Sequence, residues 1–514
     1  MTAPVAKVNG AKLDGVGSDS VGAPAVITPG APLTLSENRY FDPDPTVRRL
    51  ARLLYDETCA LPLVSPHGHV EPRLLAEDAP FPEPTALLVT PDHYVFRMLY
   101  SRGVPLEALG IPTTDGTQAG HPPVEADPRR VWRLFAAHWH LFRGTPSRAW
   151  LDYALYALFG VRVTLSAATA DRVYDQIAER LASPEFRPRA LFERFNLEVL
   201  ATTDAADDDL GHHRAIRKSG WAYGAHRVVP TFRPDALFRI AAPGWAGALE
   251  RFAAVVGRAL PDYAAFVAAL AERRLSFRAL GATATDHAVL EPTTAWLGEA
   301  QVEALFQRAR RGEATAADQR AFEAHMLVEM ARLSTDDGLV MQLHPGALRD
   351  HNPAVARRFG PDKGADIPVA TEYTRNLRPL LDRHGNDPRL TLILFTLDES
   401  TYARELAPLA GHYPAVRLGP PWWFHDSVEG MRRFRERATE TAGIYNTTGF
   451  VDDTRAFCSI PARHDLARRV DANWLAGLVA RHVVELGEAR EMARALAVEL
   501  AREAYKLSPP ADGA

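Results

Sequence analysis

Cysteine is nearly absent: Cys59 and Cys458 are the chain's 2 cysteines in 514 residues, and they lie far apart. That excludes a disulfide framework and makes a reducing, cytoplasmic compartment the default expectation. No run of about 18 apolar residues occurs, so no membrane span is expected. The opening MTAPVAKVNGAKLDG has none of the apolar core of a secretion signal. Lysine is scarce as well, arginine supplying nearly all of the 59 basic residues, and the formal net charge is −5. A weakly acidic chain of this kind lacks the basic face of a nucleic-acid binder. No internal repeat or low-complexity tract breaks the body of the chain. What remains is 46% hydrophobic and 24% charged. That is ordinary globular material, enough for one large domain with insertions or for two to three domains.

Residues 1–36 are rich in Gly, Ala, Pro, Val and Ser without a sustained period, which predicts a flexible tail. From Asp44 onward Val47, Leu50, Leu53 and Leu54 fall at helical spacing. Eight short apolar stretches then run into polar residues, at 61–70, 197–208, 226–235, 280–287, 338–346, 389–398, 416–426 and 444–455. Helical patterns such as 314–333 and 427–443 separate most of them. Strands alternating with helices predict βαβ units and a parallel sheet. Eight units predict an α/β fold of the (β/α)8 TIM-barrel type, with its chemistry at the carboxyl ends of the strands. Nearly every stretch ends in His, Asp, Arg or Trp, whereas a doubly wound sheet concentrates its chemistry at one switch point. The interval from about 70 to 196 is too long for one crossover helix. It predicts a large, mostly helical insertion after the first strand, with apolar helices at 129–142 and 148–160. The expected organisation is a tail at 1–36, a barrel from 37–72 and 197–514, and an insertion at 73–196. Large barrels often form homo-oligomers, but no interface is legible.

His67-Gly68-His69 closes the first strand stretch. Side chains two apart on a strand share a face, so both imidazoles can reach one metal ion, and neutral imidazole suits zinc and its first-row neighbours. Such a short motif is also met as two unrelated histidines in a turn. His138-Trp139-His140 has the same spacing in a helical pattern, where i and i+2 diverge, and cannot chelate. Asp453, in VDDTR at the end of the last stretch, would neighbour the first strand in a closed barrel and complete a His2Asp site. Asp452 competes with it, and either could be a solvated loop acid or a helix cap. Arg233, Arg349 and Arg455 follow strand ends, and arginines converging there would bind an anion, with carboxylate as the bidentate match. His93-Tyr94 leads a helix and reads either as an acid–base pair or as a packed helix start. Asp286, His287, His344, Trp422 and Trp423 also lie at strand ends, as supporting or pocket-wall groups.

These pieces, in this order, resemble the uronate isomerases of the amidohydrolase superfamily. PLVSPHGHV, PDHYVFRMLYSRGV, ATTDAADDDLGHH, VVPTFRPD, ATDH, QLHPGALRDHN, WWFHDSVEGM and GFVDDTRAF follow in family register from about Asn38 to the end. The resemblance implies a barrel with a helical insertion and one divalent metal, usually Zn2+, held by His67, His69 and Asp453. It implies that His93, Tyr94, Arg233, Asp286, His344, Arg349 and Arg455 line the substrate site, and that the substrate is a hexuronate. Family members convert D-glucuronate to D-fructuronate and D-galacturonate to D-tagaturonate. Departures are Gly68 where Cys is usual, Phe232 for Trp, Asp452 for Thr, and Pro420 and Pro421 where small residues are usual.

The implied reaction moves a proton between C1 and C2 through a cis-enediol, which needs a base, an acid and stabilised oxyanions. His93, Tyr94, Asp453 and Arg455 are the catalytic candidates. Arg233, Arg349 and Arg455 would share the substrate carboxylate and the polarised oxygens, with Asp286, His344, Trp422 and Trp423 completing the pocket. A metal-dependent hydrolase on the same barrel is the runner-up: VVPTFRPD lacks the lysine of a binuclear site, but His287 and His344 remain available to it.

Overall fold

The computed structural model describes residues 30–114, 122–221 and 228–507. Its strands are short and parallel apart from one pair. β1 (Leu63–Ser65), β2 (Leu197–Ala201) and β4 (Val228–Val229) form one sheet, ordered β1-β2-β4. β3 (Asp204–Ala205), β5 (Phe232–Arg233), β6 (Ala284–Val289), β7 (Val340–Pro345), β10 (Leu392–Leu394) and β11 (Val416–Leu418) form a second, ordered β11-β10-β7-β6-β5-β3. β8 (Ala347–Leu348) and β9 (Ile367–Pro368) make a small antiparallel ribbon. The protein is therefore an α/β molecule with parallel sheets.

Seven of the eight predicted stretches carry ladders, but the second and third are each split in two. Pro230 has no N–H to donate and interrupts the third. Across the breaks Thr202 N donates to Val229 O (2.9 Å), and Asp204 N donates to Thr231 O (3.0 Å). The eighth stretch forms no ladder. It begins as the turn Ile444–Asn446 and touches the sheet only through a parallel bridge between Thr447 and Leu418. Of the third stretch, residues 226 and 227 lie outside the described residues.

The alternation of strand side chains sorts residues between two cores. In β10 Leu392 and Leu394 pack outward against helices, while Ile393 faces an inner cluster with Val64, Val199, Val229, Ala284 and Val340. Each is essentially inaccessible to water, and removing such a side chain costs about 2–5 kcal/mol. In β7 Met341 and Leu343 pack outward. The intervening Gln342 takes a hydrogen bond from the buried Tyr505 hydroxyl (2.7 Å), and His344 continues its side. β6 is registered on β7 with Asp286 opposite Gln342 and Ala288 opposite His344.

The helices have readable ends. Asp44 caps Pro45–Thr58 by accepting from Thr46 N and Val47 N. Thr315 and Asp318 form a reciprocal capping box on Ala316–Asp337, which ends at Gly338 with φ 79°. Ser427 caps Val428–Ala442. Between β1 and β2 every named element of the described chain is a helix or helical turn, and their apolar faces meet in a separate cluster that includes Trp132, Phe135, Phe142 and Phe159. The predicted helix 129–142 ends at Ala137 and continues as a tight turn, Trp139–Phe142. Of the expected tail, residues 1–29 lie outside the described residues. From Gly30 the chain is described, with Leu33 buried and its N–H donating to Arg162 O (3.0 Å). No described helix is long and apolar enough to cross a membrane.

Candidate active site

β1 delivers His67 and His69 just past its carboxyl end, and the extended segment after Thr447 delivers Asp453 beside them. The two segments are tied directly, His69 N donating to Thr454 O (3.0 Å). His67 Nε2 and His69 Nε2 lie 3.5 and 3.1 Å from Asp453 Oδ1. Neither Asp453 oxygen receives a well-directed hydrogen bond, although both are buried. Two imidazole lone pairs and an unsatisfied carboxylate aimed at one another form a donor set that a divalent cation would bridge, and the residues fit such an ion. Burial depresses the His67 imidazole to about 4, which keeps it in the neutral, ligating form. Burial pushes Asp453 upward, but the neighbouring His67 and His69 imidazoles outweigh it and hold the carboxyl below its ordinary range. Asp453 itself sits at φ 40°.

His344 and Asp286 join this centre. His344 Nδ1 lies 2.7 Å from Asp286 Oδ1, and its Nε2 is buried without a partner. With His67 the two make a second cluster of ligating geometry, which the sequence did not suggest. His344 stacks on His67 with ring centroids 4.9 Å apart. Arg233 Nη1 lies 3.4 Å from Asp286 Oδ2, and its Nε donates to Asp235 Oδ2 at 2.8 Å.

The centre opens into a cavity of about 330 Å3 lined by His69, His93, Tyr94, Arg233, Arg349, Trp422, Trp423, Asp453 and Arg455. His93 and Tyr94 begin the helix His93–Tyr100, where Asp92 accepts from Tyr94 N (2.8 Å). Their rings stack at 4.5 Å, and the His93 edge meets Trp423. Both His93 nitrogens are buried without partners. Burial, then Arg455, lowers the imidazole to about 3, whereas burial, opposed by Arg463, raises the Tyr94 phenol. At neutral pH His93 is thus uncharged and Tyr94 protonated. Trp422 packs its edge on His344, and Arg349 lies over the Trp423 ring.

Several sequence readings resolve here. Asp452 turns away, its Oδ2 lying 3.0 Å from His464 Nε2, so the two neighbouring acids face opposite ways. His287 stays out of the centre: its Nε2 is 3.0 Å from Thr285 Oγ1 and its ring lies parallel to Phe238. That removes a ligand the hydrolase reading needed. His138 and His140 join no ligating cluster among the described residues. Phe232 is fully buried against Phe277 in the outer core and does not reach the cavity.

Four groups went unforeseen. Asp362 and Asp366 pair with Arg455 (2.6 Å) and Arg349 (2.7 Å). They come from an irregular stretch with no periodic signal. Arg463 pairs with buried Asp426 and lies over the Trp150 ring at 3.6 Å. Its helix, Ile460–Ala480, reads simply as core. Arg239 closes the short helix that Asp235 opens.

Parallel strands that present a His/Asp cluster and an arginine-rich cavity at their carboxyl ends define an α/β enzyme with a metal-compatible centre. Residues 46–503 match the family model described as glucuronate isomerase. A uronate isomerase of Rhizorhabdus wittichii is 57% identical over 93% of this chain and 99% of its own. The crystal structure of glucuronate isomerase from Caulobacter crescentus superposes with a TM-score of 0.90 at 51% identity, covering 94% and 98% of the two chains. The uronate isomerase from Thermotoga maritima gives 0.84 at 27% identity, covering 92% and 99%. The chain belongs to the uronate isomerase family.

Proposed function

We propose that this chain interconverts a hexuronate and its 2-keto isomer, D-glucuronate with D-fructuronate or D-galacturonate with D-tagaturonate. The observation that carries the reading is the opening of the His67–His69–Asp453 cluster onto a cavity walled by His93, Tyr94 and arginines. The strands would close into a (β/α)8 barrel. The bonds spanning β2–β5, the Thr447 bridge and the His69–Thr454 bond support closure, with 73–196 as the helical insertion and 1–36 outside the barrel.

One divalent ion, Zn2+ by its donors, would be held by His67, His69 and Asp453, and when bound it supplies Lewis-acid polarisation of a substrate oxygen. The protein's own groups supply the proton traffic. Asp453 keeps an ionised carboxylate free of directed donors, so it suits the base that takes the C2 proton. Tyr94 keeps its hydroxyl proton and suits the group that passes it between O1 and O2 of a cis-enediol. Arg233, Arg349 and Arg455 retain N–H groups beyond those given to their aspartates and would stabilise the developing oxyanions. Neutral His93, stacked on Tyr94, holds the phenol in place, while Trp422 and Trp423 exclude water. Asp286 fixes the His344 ring.

Proton NMR in D2O across a panel of uronates tests the reading. Deuterium should enter at C2 of the aldose, or at C1 of the ketose, as one sugar converts to the other. A metal-replete enzyme that converts no uronate would overturn it.

A further inference from the structure

Five arginines line the cavity: Arg233, Arg239, Arg349, Arg455 and Arg463. Four are already committed to carboxylates of the protein. Arg233 holds Asp235 and Asp286, Arg349 holds Asp366, Arg455 holds Asp362, and Arg463 holds Asp426. Only Arg239 makes no ion pair or side-chain hydrogen bond among the described residues. Glu323, whose acidity burial weakens and Arg239 strengthens from a distance, accepts instead from Gln319 Nε2 (3.0 Å).

The free guanidinium is also well placed. It follows the helix Asp235–Phe238, whose first residue clamps Arg233, so one short turn carries both arginines. Buried Phe238 and Ile240 on either side anchor its backbone, and Ala242 N donates to Arg239 O (2.9 Å). Arg239 is exposed, as Arg349 and Arg455 are, so it stands toward the mouth of the cavity, whereas Tyr94 and Asp453 are less exposed. A hexuronate has its reacting carbons and its carboxylate at opposite ends of a six-carbon chain. An arginine already paired with aspartate keeps single N–H groups for an oxygen but no longer presents its whole fork to a carboxylate. An unpaired guanidinium offers its full charge and a planar fork that matches a carboxylate.

We infer that Arg239 binds the substrate's C6 carboxylate and is the residue that selects a uronate over a neutral aldose of the same length. The inference rests on the uronate reading above. It reassigns the carboxylate from Arg233, Arg349 and Arg455, leaving those three to the sugar oxygens.

The test is steady-state kinetics of Arg239→Met and Arg239→Lys on whichever uronate the wild-type enzyme converts, with bound metal and thermal midpoint measured alongside. Losing a charge-assisted contact should raise KM about 10- to 100-fold while kcat stays within about threefold. Arg239→Lys should recover part of the loss, and the rise of KM with added salt should flatten in Arg239→Met. An unchanged KM in Arg239→Met, or a kcat that falls with KM constant, overturns the assignment. A parallel fall in metal content or melting temperature also overturns it, by making the residue structural. Failure of the wild-type enzyme on every uronate tells instead against the reaction itself.

Discussion

The two ends of β1 each open into a cavity, of about 330 Å3 at the carboxyl end and about 310 Å3 at the amino end, and their walls differ in kind. The amino-end cavity is lined by Leu61, Leu63, Leu158, Phe195 and Pro461, with Cys59 and Cys458 among them. Its buried cation, Arg468, donates to the carbonyls of Cys59 (3.1 Å), Leu61 (2.9 Å) and Pro62 (2.8 Å) and so ties down the chain entering the strand. At the carboxyl end buried polar atoms of Asp453, His93 and His344 are left without partners. At the amino end the Arg468 nitrogens are largely spent on the fold, Nε alone lacking a partner, whereas at the carboxyl end both His93 nitrogens and both Asp453 oxygens are unpartnered. That is the division of labour expected of parallel α/β strands, whose amino ends serve stability and whose carboxyl ends serve chemistry.

The sharpest way to break this contrast is to remove an unpartnered group. Asp453→Asn should lose roughly 10³-fold or more in turnover, together with any bound metal, because the proposed base and a proposed ligand vanish at once. Its thermal midpoint without metal should fall modestly, since a carboxylate that the fold holds ionised beside His67 and His69 has been neutralised. Elemental analysis, kinetics and melting on one sample decide it. A variant that unfolds while its surviving fraction turns over normally would place Asp453 with the structural residues.

Arg468→Met is the converse. Three backbone carbonyls lose charged donors, which should cost about 3 kcal/mol of stability, read as a lower urea midpoint. kcat/KM should stay within about threefold. An activity loss larger than the stability loss explains would show that the amino end is coupled to the reaction.

A third effect, smaller again, shows the carboxyl end acting against stability through pH. Asp204 in β3 takes a hydrogen bond from Thr202 Oγ1 (2.7 Å), which also lies 2.9 Å from His213 Nε2, and all three are buried. Burial raises the Asp204 carboxyl to about 7 and lowers His213 to about 4. The folded protein therefore holds on Asp204 a proton that the unfolded chain releases. Its contribution to stability is greatest in acid and declines as pH climbs through 7. Between pH 5 and 7 the loss should be about 2 kcal/mol. His213, neutral in the fold but protonated in the unfolded chain below its ordinary value, pushes the other way over the same range. The urea midpoint of the wild type should therefore fall relative to that of Asp204→Asn as pH rises. Equal slopes would mean that Asp204 titrates alike in both states.

The same contrast explains how much could be read in advance. Seven strand stretches and the pairing of His67 with His69 follow from local alternation and spacing, which are properties of nearby residues. Asp453, nearly four hundred residues on, was set apart from Asp452 only by the family resemblance. Asp362, Asp366 and Asp426 are invisible to that logic, because each reaches an arginine through tertiary folding of an irregular segment. Arg239 was hidden differently: a lone arginine becomes notable only when its neighbours are seen to be paired. The single Thr447 bridge in place of an eighth strand likewise reflects a segment held by side chains and caps more than by a ladder.

The smallest change tests how closely the unpartnered groups are positioned. Gly68 sits between the two histidines. A Cβ there would lie 3.3 Å from Thr454 O, the same carbonyl that accepts from His69 N, and 3.6 Å from Ala201 O. Gly68 O in turn accepts from Thr203 Oγ1 (2.9 Å), so the peptide is held on both sides. Gly68→Ala removes no charge and no ligand, yet it presses on the carbonyl next to Asp453. A shift of a few tenths of an ångström should cost about 2- to 5-fold in kcat/KM and under about 1 kcal/mol in stability. Cys458→Ala, an equally small change at the amino end, should leave kcat/KM unaltered. If the two variants behave alike in kinetics, the centre tolerates displacement, and the difference between the ends of β1 lies in charge alone.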